Sequence, residues 1–394
     1  MNNPVPFEGL AIGGKRTASS DGKTTTVYNP ATGAPIAEVA AATADDVDRA
    51  VCIAHERFSA GRWKEMRSRE RGQLLQRIAN LVRERAETLA QIESQNGGKP
   101  ISAARGEIAS VANTFEYYAG AVNKFFGQTI PVNANGTSLT FREPLGVCAL
   151  IVPWNFPLVI SAWKIAPALA MGNTVVLKPA SVTPLSALAL ADLALEAGLP
   201  EGVLNVVPGA GSSVGSTLVT HPLVRKISFT GSTAVGTQVM KQAADGIKRV
   251  SLELGGKSAN IVFADADLDT CVESSIFAVY DNAGQDCCSR SRIFVERPIY
   301  DEFVERFTAR AKTLKVGDPA DEATEMGPLI TPQQRENVLG YIRSGDEEGA
   351  TRLCGGEVPT DGPLARGNFL TPAVYVDVRT DMRIMREEIF GPVV

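Results

Sequence analysis

From Val147 onward the sequence alternates short apolar runs with helix-length stretches. Val147–Val152, Thr174–Leu177, Val203–Val207, Lys226–Thr230 and Val250–Leu254 read as buried strands. Stretches near Val159–Ala170, Leu185–Ala197, Ser213–Thr220 and Ala234–Ala244, between them, read as helices. No other feature constrains the fold as much. Strands apolar on both faces and joined by helices predict a parallel α/β sheet covered on both sides. Such sheets bind ligands at the carboxyl ends of their strands. A second set follows, with strands at Ala259–Phe263 and Ile293–Glu296 and helices at Tyr300–Leu314 and Thr331–Glu348.

The chain before Val147 reads differently. Its opening forty residues suggest short strands and turns, as at Gly13-Gly14 and Asn29-Pro30. Thr43–Ala60 reads as a helix, with Thr43 as N-cap and Asp45 and Asp46 favouring its dipole. Ser68–Ser94 reads as one long amphipathic helix, with Leu74, Leu75, Ile78, Leu81 and Val82 on one face. Asn96-Gly97-Gly98-Lys99-Pro100 ends it. A helix over Ile101–Asn123 and a hairpin over Gly127–Arg142 complete this part.

Composition excludes several function classes. At 394 residues the chain has room for two or three domains. A core that large needs no disulfide or metal staple. Thirty-nine basic and 44 acidic residues give a net charge of −5, a poor match to nucleic acid. The only histidines are His55 and His221, which speaks against polyhistidine metal sites. Six cysteines without a C-x-x-C spacing argue against a zinc or thioredoxin-like site, and five of them read as ordinary buried thiols. No basic segment followed by an apolar core opens the chain. The most apolar run, Val147–Ile160, is broken by Pro153, Asn155 and Pro157, so no membrane span is expected. The expected setting is cytoplasmic. No internal repeat is visible.

Three local patterns could carry chemistry. Gly209-Ala-Gly211-Ser-Ser-Val-Gly215 and Gly231-Ser-Thr-Ala-Val-Gly236 each follow a predicted strand. Either could offer backbone N–H groups to a pyrophosphate, and either could merely turn the chain. Neither is G-x-G-x-x-G, and no acidic residue ends the next strand to hold a ribose. Second, Asn282-Ala-Gly-Gln-Asp-Cys287-Cys288 places adjacent cysteines in a polar loop. A reactive thiol needs a lowered pKa, from a helix end or a cation. Third, Glu253 stands in an apolar strand end, where a carboxylate is costly unless paired, for instance with Lys257, or used as a base with a burial-raised pKa.

Together these patterns resemble a known family. Pro153-Trp154-Asn155-Phe156-Pro157, Lys178-Pro179, Phe229-Thr-Gly231-Ser232 through Gly236, Leu252-Glu253-Leu-Gly255-Gly256-Lys257, Gly284-Gln285-Asp-Cys287 and Glu388-Ile-Phe390-Gly391-Pro392 occur in that order. The set resembles the NAD(P)-dependent aldehyde dehydrogenase superfamily, from about Gly13 to the last residue. Asn96-Gly-Gly-Lys-Pro100, Val316-Gly-Asp-Pro319 and Met326-Gly-Pro-Leu-Ile330 match it too.

The resemblance implies roles. Cys287 is the expected nucleophile and Cys288 its non-catalytic neighbour. The Asn155 amide and the Cys287 N–H form the oxyanion hole, and Glu253 activates the deacylating water. Lys164 belongs to a proton relay. Lys178 binds the adenosine ribose; Gly231, Ser232 and Gly236 line the pyrophosphate turn; Trp154 lines the cofactor cleft. Glu388 holds the nicotinamide ribose, with Phe390 beside the ring. The cofactor is NAD or NADP, the substrate a small-molecule aldehyde, and no metal is required. Phe156 and Trp163 put aromatic surface at the substrate tunnel.

The resemblance also implies an organisation. Residues 1–122 and 145–256 form a Rossmann-like NAD(P)-binding domain, 123–144 a hairpin used in oligomerisation, and 257–394 an α/β catalytic domain incomplete at its C-terminal end. A homodimer or homotetramer is expected, with no nucleic-acid or membrane partner. Two departures stand out. NAD-preferring members often carry glutamate three residues after the ribose lysine, where this chain has Ser181, free to donate to a phosphate. The sequence also stops at Val394, where members of the family continue. Two rival readings remain open at this point: a CoA-acylating semialdehyde dehydrogenase, and a truncated, non-catalytic binding or structural protein.

Overall fold

The computed structural model describes residues 6–394, in two compact units. The first comprises the chain up to Val27, Ala37–Ala90 and Arg105–Glu253. Its spine is a seven-stranded sheet in the order Arg249–Leu254, Val224–Gly231, Val147–Ile151, Thr174–Lys178, Leu204–Val206, Leu10–Ile12, Lys15–Thr17. The strands from Val224–Gly231 to Leu204–Val206 run parallel. Leu10–Ile12 and Lys15–Thr17 then add an antiparallel edge. Every residue of Val147–Ile151 and Thr174–Lys178 is buried, as a sheet covered on both faces requires.

The connecting helices follow the sequence signals. Proline at the first turn opens Pro157–Ala170. Thr43 caps Ala44–Ser59 in a capping box: its Oγ1 accepts from the Asp46 N–H at 3.3 Å, and Asp46 Oδ2 accepts from the Thr43 N–H at 3.0 Å. The expected long helix over Ser68–Ser94 is instead two, Ser68–Glu84 and Ala86–Gly97. Arg85 leaves helical geometry at ψ 17, and its N–H donates to the Leu81 and Arg83 carbonyls, closing the first helix. The expected hairpin is present as Thr129–Ile130 paired with Ser138–Leu139. Around it Phe125, Phe126, Ile130, Leu139 and Phe141 are exposed.

The second unit comprises Tyr28–Ile36, Gln91–Ala104 and Leu254–Val394. Ala259–Val262 pairs in parallel with Arg292–Val295, and Thr351–Cys354 antiparallel with Val374–Val376. The helices Leu268–Tyr280, Tyr300–Thr313 and Pro332–Glu347 pack on them. At the core, the Phe307 ring stacks on Phe303 and Tyr280, at 5.7 and 6.1 Å. No described helix is long and apolar enough to cross a membrane.

Candidate active site

In the first unit the register sets Ile151 level with Lys178 and with Phe229, at the carboxyl ends of three parallel strands. Pro153-Trp154-Asn155-Phe156 leads from the first of these into Pro157–Ala170. Asn155 is buried and Trp154 half-buried. Lys164, on that helix, is only 8% exposed and donates to Ser228 Oγ at 2.7 Å. Burial pushes the Lys164 pKa down to about 8, against the opposing pull of the Glu253 carboxylate. Lys164 and Glu253 are thus brought together. Glu253 itself is exposed, contrary to the expected burial. Its strand lies at the sheet edge, and alternate residues of Arg249–Leu254 face solvent. Ser228 was missed by sequence reasoning; its one signal is a hydroxyl beside the apolar Phe229 and Ile227.

Lys178 ends its strand 5% exposed, its pKa pushed down to about 8 by burial. Its Nζ donates to the Pro179 carbonyl at 3.0 Å, which uses one of the three N–H groups of an ammonium. A Cβ added at Gly215 would come within 3.8 Å of the Lys178 side chain. Ser181 Oγ donates to the Gly209 carbonyl at 2.9 Å, so its proton is engaged rather than free for a phosphate. At Gly231 a Cβ would lie 2.6 Å from the Phe229 ring, so a larger residue would force that ring to shift. Ser232 caps Thr233–Ala244, its Oγ accepting from the Val235 N–H at 3.4 Å. Gly236, buried in the first turn, donates to the Ser232 carbonyl at 2.9 Å. First-turn N–H groups are an anion site in their own right.

In the second unit Leu268–Tyr280 runs into a turn in which Asn282, Ala283 and Gly284 all take positive φ, at 50, 56 and 70. A Cβ at Gly284 would stand 2.2 Å from the Gly391 carbonyl oxygen, so only glycine fits there. Buried Gln285 then clamps the loop: Oε1 accepts from the Ile330 N–H and Nε2 donates to the Asn282 carbonyl, both at 3.0 Å. Cys287 follows half-buried and Cys288 exposed. Burial, then the acidic neighbours Cys288 and Asp286, pushes the Cys287 thiol up to about 12. The lowered value expected for a reactive thiol is therefore absent from the protein alone. Of the other five cysteines only Cys148 is the ordinary buried thiol expected: Cys271 and Cys354 are partly exposed, and Cys52 and Cys288 face solvent.

Glu388 sits beside Gly255, where a Cβ would fall 2.0 Å from Oε2. Burial raises the Glu388 pKa, opposed by a hydrogen bond from the Gly256 backbone and by Lys257. The carboxylate acting on Lys257 is that of Glu388. Glu388 Oε1 and Lys257 Nζ are buried without a hydrogen-bond partner. Phe390 takes a positive φ of 57, and its carbonyl accepts from Gln334 Nε2 at 2.8 Å. Within the first unit the spare donors of Lys178 and the glycine turns fit the ribose and phosphates of a dinucleotide; within the second the orphaned buried groups at Glu388 and Lys257 fit a polar ligand group.

A profile of the aldehyde dehydrogenase family matches residues 17–394. The chain belongs to the aldehyde dehydrogenase family. Human retinal dehydrogenase 2 is 48% identical over 395 residues, all of this chain and 76% of that protein. Mitochondrial aldehyde dehydrogenase of Mesocricetus auratus is also 48% identical, over 94% of this chain and 74% of its own. Among solved structures, the NAD+ complex of Bacillus cereus aldehyde dehydrogenase superposes with a TM-score of 0.96 at 44% identity, covering 98% of this chain and 78% of that one. Betaine aldehyde dehydrogenase of Staphylococcus aureus, also with NAD+, gives 0.96 at 37% identity, covering 98% and 77%. This aldehyde dehydrogenase is an NAD(P)-dependent oxidoreductase that converts an aldehyde to the carboxylic acid.

Proposed function

We propose that Cys287 is the nucleophile and that the aldehyde passes through a thiohemiacetal and a thioester on its sulfur. The supporting observation is positional. Cys287 is half-buried on a loop clamped by Gln285, whereas Cys288 points to solvent. The sulfur adds to the carbonyl carbon as the thiol proton is released to solvent. The Asn155 amide and the Cys287 N–H donate to the resulting alkoxide. As the alkoxide collapses, the former aldehyde hydrogen leaves with its electron pair, and a thioester remains. The acceptor for that hydride would be supplied by the nicotinamide ring of a bound cofactor. Glu253 takes a proton from water as it attacks the thioester, and the acid and free thiol are released. Lys164, held by Ser228 and pushed to about 8, moves protons to and from Glu253.

Lys178 and Ser181 hold the adenosine ribose, with Trp154 in the cleft; Gly231, Ser232 and Gly236 hold the pyrophosphate; Glu388 and Phe390 hold the nicotinamide end. On the substrate side, Trp163 is exposed on the helix of Lys164 and lines an open cleft of about 320 Å³ with Tyr117 and Tyr118 beside the polar Ser110, Asn113 and Thr114. That surface supports an aldehyde with an apolar or aromatic body. Paired thiols at the reaction centre support a reducing, cytoplasmic setting. The exposed apolar residues of the hairpin support a homodimer or homotetramer.

The test is a pair of variants. Cys287→Ala abolishes turnover, while Cys288→Ala keeps most of it; the reverse result refutes the nucleophile assignment. Glu253→Gln releases one equivalent of reduced cofactor in a burst and then stalls, because hydrolysis needs the carboxylate more than hydride transfer does. No burst with cofactor binding intact would move Glu253 out of the deacylation step. Turnover without added CoA separates hydrolysis from the acylating alternative.

A further inference from the structure

Asp286, Cys287 and Cys288 gather three metal-type donors, all within 4.8 Å of one another. The two sulfurs are 3.8 Å apart. A disulfide would need about 2.05 Å. Two Zn–S bonds of about 2.3 Å at the tetrahedral angle place their sulfurs about 3.8 Å apart. The pair therefore stands at coordination spacing. The loop is also built before any ion arrives. The Cys288 N–H donates to Asp286 Oδ1 at 3.0 Å, and the Ser289 N–H to the Asp286 carbonyl at 3.0 Å. Gln285 fixes the preceding residue from both ends of its amide.

We propose that Asp286, Cys287 and Cys288 form an inhibitory site for a thiophilic divalent cation with a filled d shell, zinc being the physiological example. Two thiolates and a carboxylate suit such an ion, and solvent at Cys288 supplies the fourth ligand. Binding exchanges the two thiol protons, released to solvent, for one dication; no electrons move and a chelator reverses it. A loaded site withholds the Cys287 sulfur from the aldehyde. Ion binding follows from the loop geometry alone, while the loss of turnover rests on Cys287 being the nucleophile. This ion has no part in catalysis.

The other donor cluster, Asp48, Cys52 and His221, is a weaker candidate. His221 Nδ1 accepts from the Leu223 N–H at 3.2 Å. The ring proton then lies on Nε2, 3.1 Å from Asp48 Oδ1, where a metal would need a lone pair.

The experiment uses the whole chain, reduced and stripped of metal, in a Cys52→Ser background that removes the second cluster. Cadmium is titrated in, and thiolate-to-cadmium charge transfer is read in the ultraviolet. Zinc is titrated against turnover, each variant scaled to its own metal-free rate. Cys288→Ser is expected to lose about half the charge-transfer amplitude and to bind about tenfold more weakly or worse. Asp286→Asn is expected to weaken binding while keeping the full amplitude. Zinc inhibition should follow occupancy and be reversed by EDTA. Undiminished affinity and amplitude in Cys288→Ser would overturn the site. Binding as expected with full turnover at saturation would keep the site but overturn its inhibitory role, and with it the nucleophile assignment.

Discussion

Replacing Gly255 with alanine should damage cofactor use while leaving the fold intact. The new Cβ would lie 2.0 Å from Glu388 Oε2 and 2.5 Å from its Cδ. Ordinary contact begins near 3.4 Å, so the carboxylate must retreat. A displacement of roughly 1 Å at a positioning group costs about 100-fold in rate, or about 2.7 kcal/mol. The backbone at Gly255 is not in the left-handed region. Alanine there also lowers the entropy of the unfolded chain, worth about 0.4–1 kcal/mol in favour of folding. The melting temperature should therefore move little, while kcat/KM for NAD+ falls about 100-fold. Steady-state kinetics at saturating aldehyde and a thermal melt measure both. The loss should act through Glu388, so in a Glu388→Ala background the same substitution should add little. Full additivity of the two losses, or a kcat/KM within twofold of wild type, would refute the placement of Glu388 on the cofactor.

Two more predictions follow from the site. Burial and its acidic neighbours hold the Cys287 thiol up at about 12, so little of it is thiolate at pH 8 in the cofactor-free enzyme. Iodoacetamide labelling of Cys287, read by peptide mapping, should be slow and rise about tenfold per pH unit from 8 to 10. Asp286→Asn should speed it by removing an anionic neighbour, and a pH-independent rate would contradict the raised value. At the adenosine end, Ser181 spends its proton on Gly209, so it neither repels nor donates to a 2′-phosphate. Both cofactors should then work within about tenfold of each other. Ser181→Glu should shift preference towards NAD by about 1–3 kcal/mol, measured as the ratio of kcat/KM values; an unchanged ratio places the choice elsewhere.

The parallel sheet was legible because its strands are buried on both faces and so read as unbroken apolar runs, as at Val147–Ile151. The cap at Thr43 was legible because a capping box is a local pattern of side chain and backbone. The break at Arg85 was not, since the apolar stripe keeps helical spacing on both sides of it and only a backbone angle changes. Nor does anything local show that Gln91–Ala104 packs with the residues after Leu254, although the same helix begins in the other unit. At the site, the ordered motifs singled out Cys287, Glu253 and Asn155 as candidates, but ordered motifs carry no electrostatics. Glu253 looks costly in an apolar strand only while that strand is taken as central; at the sheet edge the cost disappears. For Cys287 the error runs the other way. A polar loop suggests an exposed thiol with a lowered pKa, yet the left-handed turn at Asn282–Gly284 and the Gln285 clamp fold the thiol into half-burial beside Asp286. The geometry that positions the sulfur also keeps it protonated. On the proposed nucleophile role, the thiol proton therefore leaves as the sulfur attacks the carbonyl carbon, not before it.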